Sequence, residues 1–253
     1  MSTAAGAVVA ALFGAVFGSF LNVVIHRLPR GESVASPPSH CPKCGNPIKP
    51  RDNVPVLSWL LLRGRCRHCG EPISGRYPFV EALTAILLGA VVLRFGADRD
   101  AWLGIVFVLV LVPVAFIDLD HRIIPNKITG PAAVLAIALV VLTRRDDLVE
   151  HLIAGAAAGG FLLAAALAYP AGMGMGDVKL AGVMGLFLGR SVGPAMLIAL
   201  LAGTVIGAVI IARKGRAEGR KTAVPFGPFL ALGGLAGLFA GDEIVDWYLD
   251  TFA

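Results

Sequence analysis

The strongest constraint in this chain is the alternation of long apolar runs with short, charge-bearing breaks. A hydrocarbon core about 30 Å thick takes roughly 20 apolar residues to cross as a helix. Runs of this kind fall at about residues 4–25, 78–95, 101–119, 128–143, 150–169, 178–189, 191–212 and 224–241. The sixth is short, and only a turn near Gly189 and Arg190 parts it from the seventh. With 57% hydrophobic and 15% charged residues, the chain has too little polar surface to solvate a compact domain in water. The pattern predicts an all-α polytopic membrane protein of about eight transmembrane helices.

Charge tests that count. If each run crosses once, the breaks at 26–77, 118–127, 170–179 and 212–223 share one side of the membrane. They hold nine, two, one and five Lys or Arg, seventeen in all, against five on the other side: Arg94, Arg99, Arg144, Arg145 and Arg190. The rich side is expected to be cytoplasmic, with both termini outside. The stretch carrying Asp242, Glu243, Asp246 and Asp250, which lacks Lys and Arg, fits the outer side. The net charge of +5 therefore reads as orientation bias, and no nucleic-acid partner is expected. No Lys or Arg precedes the first run, so it lacks the basic region of a signal peptide and is read as a span. Three parts follow: a first helix at 1–25, an extramembrane loop domain at 26–77, and a seven-helix membrane portion at 78–253. Glycines such as Gly155, Gly159, Gly160, Gly203 and Gly207 within the runs suit close helix packing.

The loop domain holds all four cysteines. Cys41-Pro-Lys-Cys44-Gly and Cys66-Arg-His-Cys69-Gly form two CxxC turns 21 residues apart, each followed by a glycine able to take the positive φ such a turn needs. Two sulfurs from each turn complete the tetrahedral thiolate shell that structural zinc prefers, although iron would also fit. The competing reading is a pair of disulfides, which a reducing cytoplasmic side disfavours. A closed four-thiolate shell leaves no position for water, so the metal is expected to fold the loop and take no part in chemistry. His40 and His68 stand beside the cysteines as neighbours. Arg63, Arg65 and Arg67, with Lys49, Arg51 and Arg76 nearby, suit lipid headgroups better than a substrate.

Acidic residues at the edge of a span cost free energy, about 2.5–3.5 kcal/mol at a helix centre and less at the interface. Two such places occur on the same side: Asp118 and Asp120 at the end of the third run, and Asp177 in Gly-Met-Gly-Asp-Val-Lys before the sixth. Taken singly, each has a plain explanation. Asp177 is placed to cap a helix, and Asp118 or Asp120 could pair with Arg122 at a solvated helix end. Together they lie at one membrane depth. Two carboxylates held close share a proton, so that the ionised one deprotonates water while the protonated one polarises a scissile carbonyl. Asp118 and Asp120 lie about 200° apart on a helix, and phase alone does not choose between them. Lys179 at the interface suits snorkelling. There is no Walker loop and no His-Glu-x-x-His, and neither Ser19 nor Ser58 has an evident base partner.

These residues resemble the prepilin peptidases, or type IV leader peptidases, of bacterial pilus and type II secretion systems. The resemblance runs through Gly18-Ser19-Phe20-Leu21-Asn22-Val23-Val24-Ile25-His26-Arg27-Leu28-Pro29 and both CxxC pairs with Pro55-Val56-Leu57-Ser58-Trp59 between them. It continues through Ser74-Gly75-Arg76-Tyr77-Pro78, Asp118, Ile124-Pro125-Asn126, and Gly174 to Lys179. It implies an intramembrane aspartic endopeptidase of the bacterial inner membrane, removing the basic leader of prepilin or pseudopilin substrates on the cytoplasmic side. It implies Asp118 and Asp177 as the catalytic pair, with Asp120 a neighbour. Members with the large cysteine-bearing loop also methylate the new N-terminus with S-adenosylmethionine, so that activity is expected too, although no Rossmann-type glycine fingerprint is present. A transporter lined by the acidic residues is the competing class, but its charges would be expected near the midplane. A scaffold with decayed catalysis would not be expected to keep both aspartates.

Overall fold

The computed structural model describes residues 2–96, 98–170, 172–215 and 224–252. Much of the basic break at 212–223 therefore lies outside the described residues. The described chain is helical and divides into two compact units, Met1–Ala101 and Trp102–Ala253.

In the first unit, α1 (Thr3–Arg27) and α3 (Arg76–Phe95) pack side by side. Gly14 abuts Thr84 and Ala85, Gly18 abuts Glu81, and Gly89 abuts Ala7 and Ala11, so the two helices run antiparallel. Small residues take these positions because helices in lipid associate through close backbone packing, with no water to expel. The large side chains of α1 face outward instead, with Leu12, Phe13 and Phe17 exposed, as expected of a surface that lipid solvates. Between these helices lies the loop domain with the short helix α2 (Leu57–Leu61).

The second unit contains α4 (Arg99–His121), α5 (Asn126–Thr143), α6 (Leu148–Ala168), α7 (Met175–Leu188), α8 (Val192–Lys214) and α9 (Gly227–Phe252). Its core is built on Phe107, Leu111, Val114, Leu162, Leu180, Met184 and Leu230, all fully buried. Phe107 of α4 stacks on Phe187 of α7 at 5.0 Å between ring centroids.

Seven helical stretches among the described residues are long and apolar enough to cross a membrane. One of them, Met175–Lys214, has 40 residues, about twice what a crossing needs. Its neighbours show that it folds back. Gly227 of α9 touches Asp118 and Gly234 touches Leu111 and Phe107, so α9 runs opposite to α4. Gly233 touches Ala195 and Ala199, and Gly237 touches Ser191, so α8 runs opposite to α9. The Phe107–Phe187 stack at one end and the Asp118–Asp177 interaction at the other set α7 opposite to α4. Hence α7 and α8 are antiparallel and meet at the Gly189–Ser191 turn, where Gly189 takes φ +55°. With α7 and α8 separate, the described residues hold eight long helices, one for each apolar run.

Most helix ends lie within about three residues of the sequence expectation, inside the usual margin. The last does not. The run expected to end at 241 continues as helix to Phe252, because its acidic residues are not a loose tail. Asp242 accepts a hydrogen bond from the Ser191 hydroxyl at 2.7 Å, and Arg190 pairs with Asp242 at 3.4 Å and Asp246 at 2.9 Å.

Candidate active site and metal centre

Asp118 occupies the last turn of α4 and is buried at 5% exposure, whereas Asp120 is exposed. The structure thus supplies the helical phase that the sequence lacks. Asp177 is the third residue of α7 and is buried at 9%. It is not the N-cap: that position belongs to Gly174, whose amide donates to Asp177 Oδ2 at 3.1 Å. Asp118 Oδ2 accepts a hydrogen bond from the Gly227 amide at 2.8 Å. The two carboxylates are close enough to interact electrostatically. Each is therefore steered by a backbone N–H at the start of a helix, where unpaired amides and the helix dipole favour negative charge.

Gly227 has no room for a side chain unless Asp118 shifts. A β-carbon there would lie 2.8 Å from Asp118 Oδ2 and 3.0 Å from its Cβ and Cγ. Beside the pair, Lys179 Nζ donates to Asn126 Oδ1 at 2.9 Å, tying the start of α7 to the start of α5. The sequence reading of Lys179 as a snorkelling side chain misses this bond, which joins residues 53 positions apart.

The four cysteines form one cluster in the loop domain. Their sulfurs all lie within 4.8 Å of one another, and none is in a disulfide. The two halves repeat the same local fold. Gly45 N donates to Cys41 O and Cys41 N to Asn46 O; Gly70 N donates to Cys66 O and Cys66 N to Glu71 O. Both turn glycines have positive φ, +70° and +73°. Cys41 Sγ and Cys69 Sγ are 3.8 Å apart, the edge of a tetrahedron whose centre is about 2.3 Å from each corner, as zinc–thiolate bonds require.

The thiols share negative charge unevenly. The Asn46 amide and side chain hold Cys44 down at about 6. The amides of Cys69 and His68 lower Cys66 as well. At Cys69 the Glu71 amide acts downward, but burial and the three neighbouring sulfurs outweigh it and push the thiol up to about 12. Such a cluster concentrates anionic sulfur and keeps a proton where a cation would relieve the crowding. The donor set fits a soft tetrahedral metal.

Residues 12–95 match the model of the bacterial peptidase A24 N-terminal domain, and residues 105–212 match that of the type IV leader peptidase family. A prepilin leader peptidase/N-methyltransferase of Aeromonas hydrophila is 38% identical over 95% of this chain and 93% of its own length. This chain belongs to the prepilin leader peptidase family. Proteins of the same description in Myxococcus xanthus (strain DK1622) and Bacillus subtilis (strain 168) are 42% and 33% identical, over 83% and 94% of this chain and 64% and 96% of their own lengths. No solved structure matches.

Gly227 lies beyond the segment matched to the leader peptidase family model, and sequence reasoning did not single it out. The available signal was a glycine between Phe226 and Pro228 at the head of an apolar run, which marks a close approach only once its partner is known. The buried Glu81 of α3 was also missed. Its Oε2 accepts the Val56 amide at 2.7 Å, and the Ser19 hydroxyl bonds to it as well.

Proposed function

We propose that this leader peptidase family member is an intramembrane aspartic endopeptidase that cuts the basic leader from prepilin or pseudopilin substrates, with Asp118 and Asp177 as its catalytic pair. The observation that carries the reading is the pair itself: two buried, mutually interacting carboxylates, each steered by one backbone amide. One ionised carboxylate takes a proton from water, and the hydroxide so formed attacks the scissile carbonyl. The protonated partner donates to the carbonyl oxygen, giving a neutral tetrahedral diol. Its collapse breaks the C–N bond as a carboxyl proton passes to the departing amine. The pair titrates as one unit, so acid and base roles belong to both residues.

Charge orients the site. The acidic pair and the cysteine loop fall in breaks that together hold seventeen of the 22 Lys and Arg, which supports the cytoplasmic face of the inner membrane for them and the outer side for both termini. A substrate with a basic leader and an apolar helix would enter with its positive end in the cytoplasm and its junction at the carboxylates. The cysteines would hold a structural zinc, which would supply folding free energy to the loop.

The second activity, N-methylation of the newly exposed amine, follows from the descriptions of the relatives. An apolar groove of about 500 Å³ lined by Ile198, Leu201, Ala202, Val205, Ile206, Phe229 and Leu232 does not fit the charged sulfonium and amino-acid end of S-adenosylmethionine. The peptidase reading is tested by mass spectrometry of a prepilin incubated with proteoliposomes containing the parent chain, Asp118→Asn or Asp177→Asn. The parent is expected to release the leader, and both variants to leave it attached at equal protein level. Leader release by either variant overturns the assignment.

A further inference from the structure

Helix α2 is built inside out for a segment meant to face water. Its polar positions turn inward: Ser58 is buried, accepting the Val54 amide at 2.9 Å and donating to Arg51 O at 3.1 Å, and Trp59 Nε1 donates to Ile73 O at 3.0 Å. Its leucines turn outward, with Leu57, Leu60 and Leu61 exposed at 52%, 57% and 74% and Val54 beside them at 44%. Such a patch marks an apolar partner.

A strained elbow fixes the depth of this patch. Val56 has φ +61° and ψ −51°, and Leu57 N donates to Pro55 O at 2.6 Å. This is the rare γ-turn with positive φ, and a β-branched side chain resists it. Strain of this kind persists only where the surroundings over-determine the backbone. Here Glu81 accepts the Val56 amide from five residues inside α3, about 7–8 Å along the helix axis from Arg76. The elbow is thus held level with Phe79 and the turn after it, on a helix long and apolar enough to cross the membrane. Phe79 and Ile86 of α3 and Phe17 and Phe20 of α1 are exposed there, so the leucine patch continues a lipid-facing surface. Arg63 and Arg65 follow α2, both exposed and without an ion pair among the described residues.

We propose that α2 lies in the membrane–water interface as an anchor, its leucines among the upper acyl chains and Arg63 and Arg65 on anionic phosphates of the same leaflet. Amphipathic segments flanked by Arg bind this boundary through buried apolar area plus attraction to anionic lipid. The Glu81 latch spends backbone strain to aim the leucines downward, and the basic residues beyond them reach the headgroups. The proposal needs α1 and α3 to be membrane crossings and is independent of the peptidase chemistry.

The test uses the full chain in proteoliposomes of equimolar phosphatidylglycerol and phosphatidylcholine, with a benzophenone amino acid replacing Leu61 or, in a second protein, Lys43 at the exposed tip of a cysteine turn. After irradiation, intact mass is expected to show single-phospholipid adducts at position 61 and few at position 43. Phosphatidylglycerol should exceed phosphatidylcholine about thirtyfold, the bias that about 1 kcal/mol for each of the two basic residues gives, and Arg63→Gln with Arg65→Gln should remove that preference. Equal lipid adducts at both positions overturn the proposal, as does loss of the lipid adduct to a prepilin or to a second copy of the chain when prepilin is added. Should the benzophenone variant fail to accumulate, Leu61→Trp is expected to add fluorescence that lipids brominated near the top of the acyl chain quench. Unquenched added fluorescence would equally sink it.

Discussion

Replacing Gly227 with alanine tests whether the backbone amide on Asp118 matters to turnover. The new β-carbon would lie 2.8 Å from Oδ2 and 3.0 Å from Cβ and Cγ of Asp118, well inside the roughly 3.5 Å at which carbon atoms pack. Asp118 is short and its Cβ is itself in the clash, so the side chain cannot simply swing its tip aside. The carboxylate must retreat by about half an ångström or more, which breaks its 2.8 Å bond to the Gly227 amide. A hydrogen bond to a charged group contributes about 1.5–3 kcal/mol, so kcat for leader cleavage should fall roughly ten- to a hundredfold. The assay is a time course of prepilin cleavage in proteoliposomes, read by mass spectrometry, alongside thermal unfolding of the same preparations. Gly160→Ala is the control, since a β-carbon there meets nothing within 4 Å; it should cleave at the parent rate. A Gly227→Ala protein that folds and cleaves as fast as the parent refutes the role of this amide.

Three further outcomes are expected. In Gly185→Ala, the added carbon would lie 2.4 Å from the Ala154 carbonyl oxygen and 2.5 Å from Gly155 N; backbone cannot yield, so α6 and α7 must part at about 1–3 kcal/mol, read as a lowered Tm. Cys66→Ser removes one corner of the sulfur cluster, and metal analysis should find zinc lost from the purified chain, with faster hydrogen exchange across 41–69; unchanged zinc would disprove the assigned ligand set. Arg67 grips Asp52 through Nε at 3.0 Å and Nη2 at 2.6 Å, and that hydrogen bonding holds the Asp52 carboxyl below its ordinary 3.8. A depressed folded-state value means the contribution is intact above 3.8 and lost as pH falls through the lowered value. Titration of the Asp52 carboxyl followed by carbon NMR should give a midpoint below 3.8 in the parent, moved up towards 3.8 in Arg67→Ala.

The features legible in the sequence are those decided by nearby residues. A run of apolar residues answers to bilayer thickness, so every helix end except that of α9 is placed within a turn. The cysteine turns answer to a spacing of two and a following glycine, and the structure repeats them twice. What escaped depends on distant partners. The acidic residues of α9 resemble a solvated tail until Arg190, 52 residues before Asp242, accounts for two of them. Asp118 and Asp120 are equivalent on paper because a lone helix has no reference for its phase; packing buries one and exposes the other. The amide on Asp118 comes from 109 residues away. Val56 has no residue-type signature at all, since a β-branched side chain argues against the backbone it adopts.

The brevity of α7 has a consequence for hydration. Fourteen residues make a rod of about 21 Å, some 9 Å less than the hydrocarbon slab. Its C-terminal end is level with the start of α6, where His151 meets Leu186 O and Glu150 meets the Arg190 amide. Its N-terminal end therefore falls short: Val178 stands beside Gly159, and from there α7 runs three residues to Met175 while α6 runs nine to Ala168, an overhang of roughly 9 Å. Asp177 thus lies near the floor of a step in the protein's surface. A bilayer meeting such a step must thin, or let the aqueous phase descend into it. Either way water is brought towards the carboxylates, and under the proposed peptidase reading the transmembrane segment of a substrate would not need to leave the lipid to reach them.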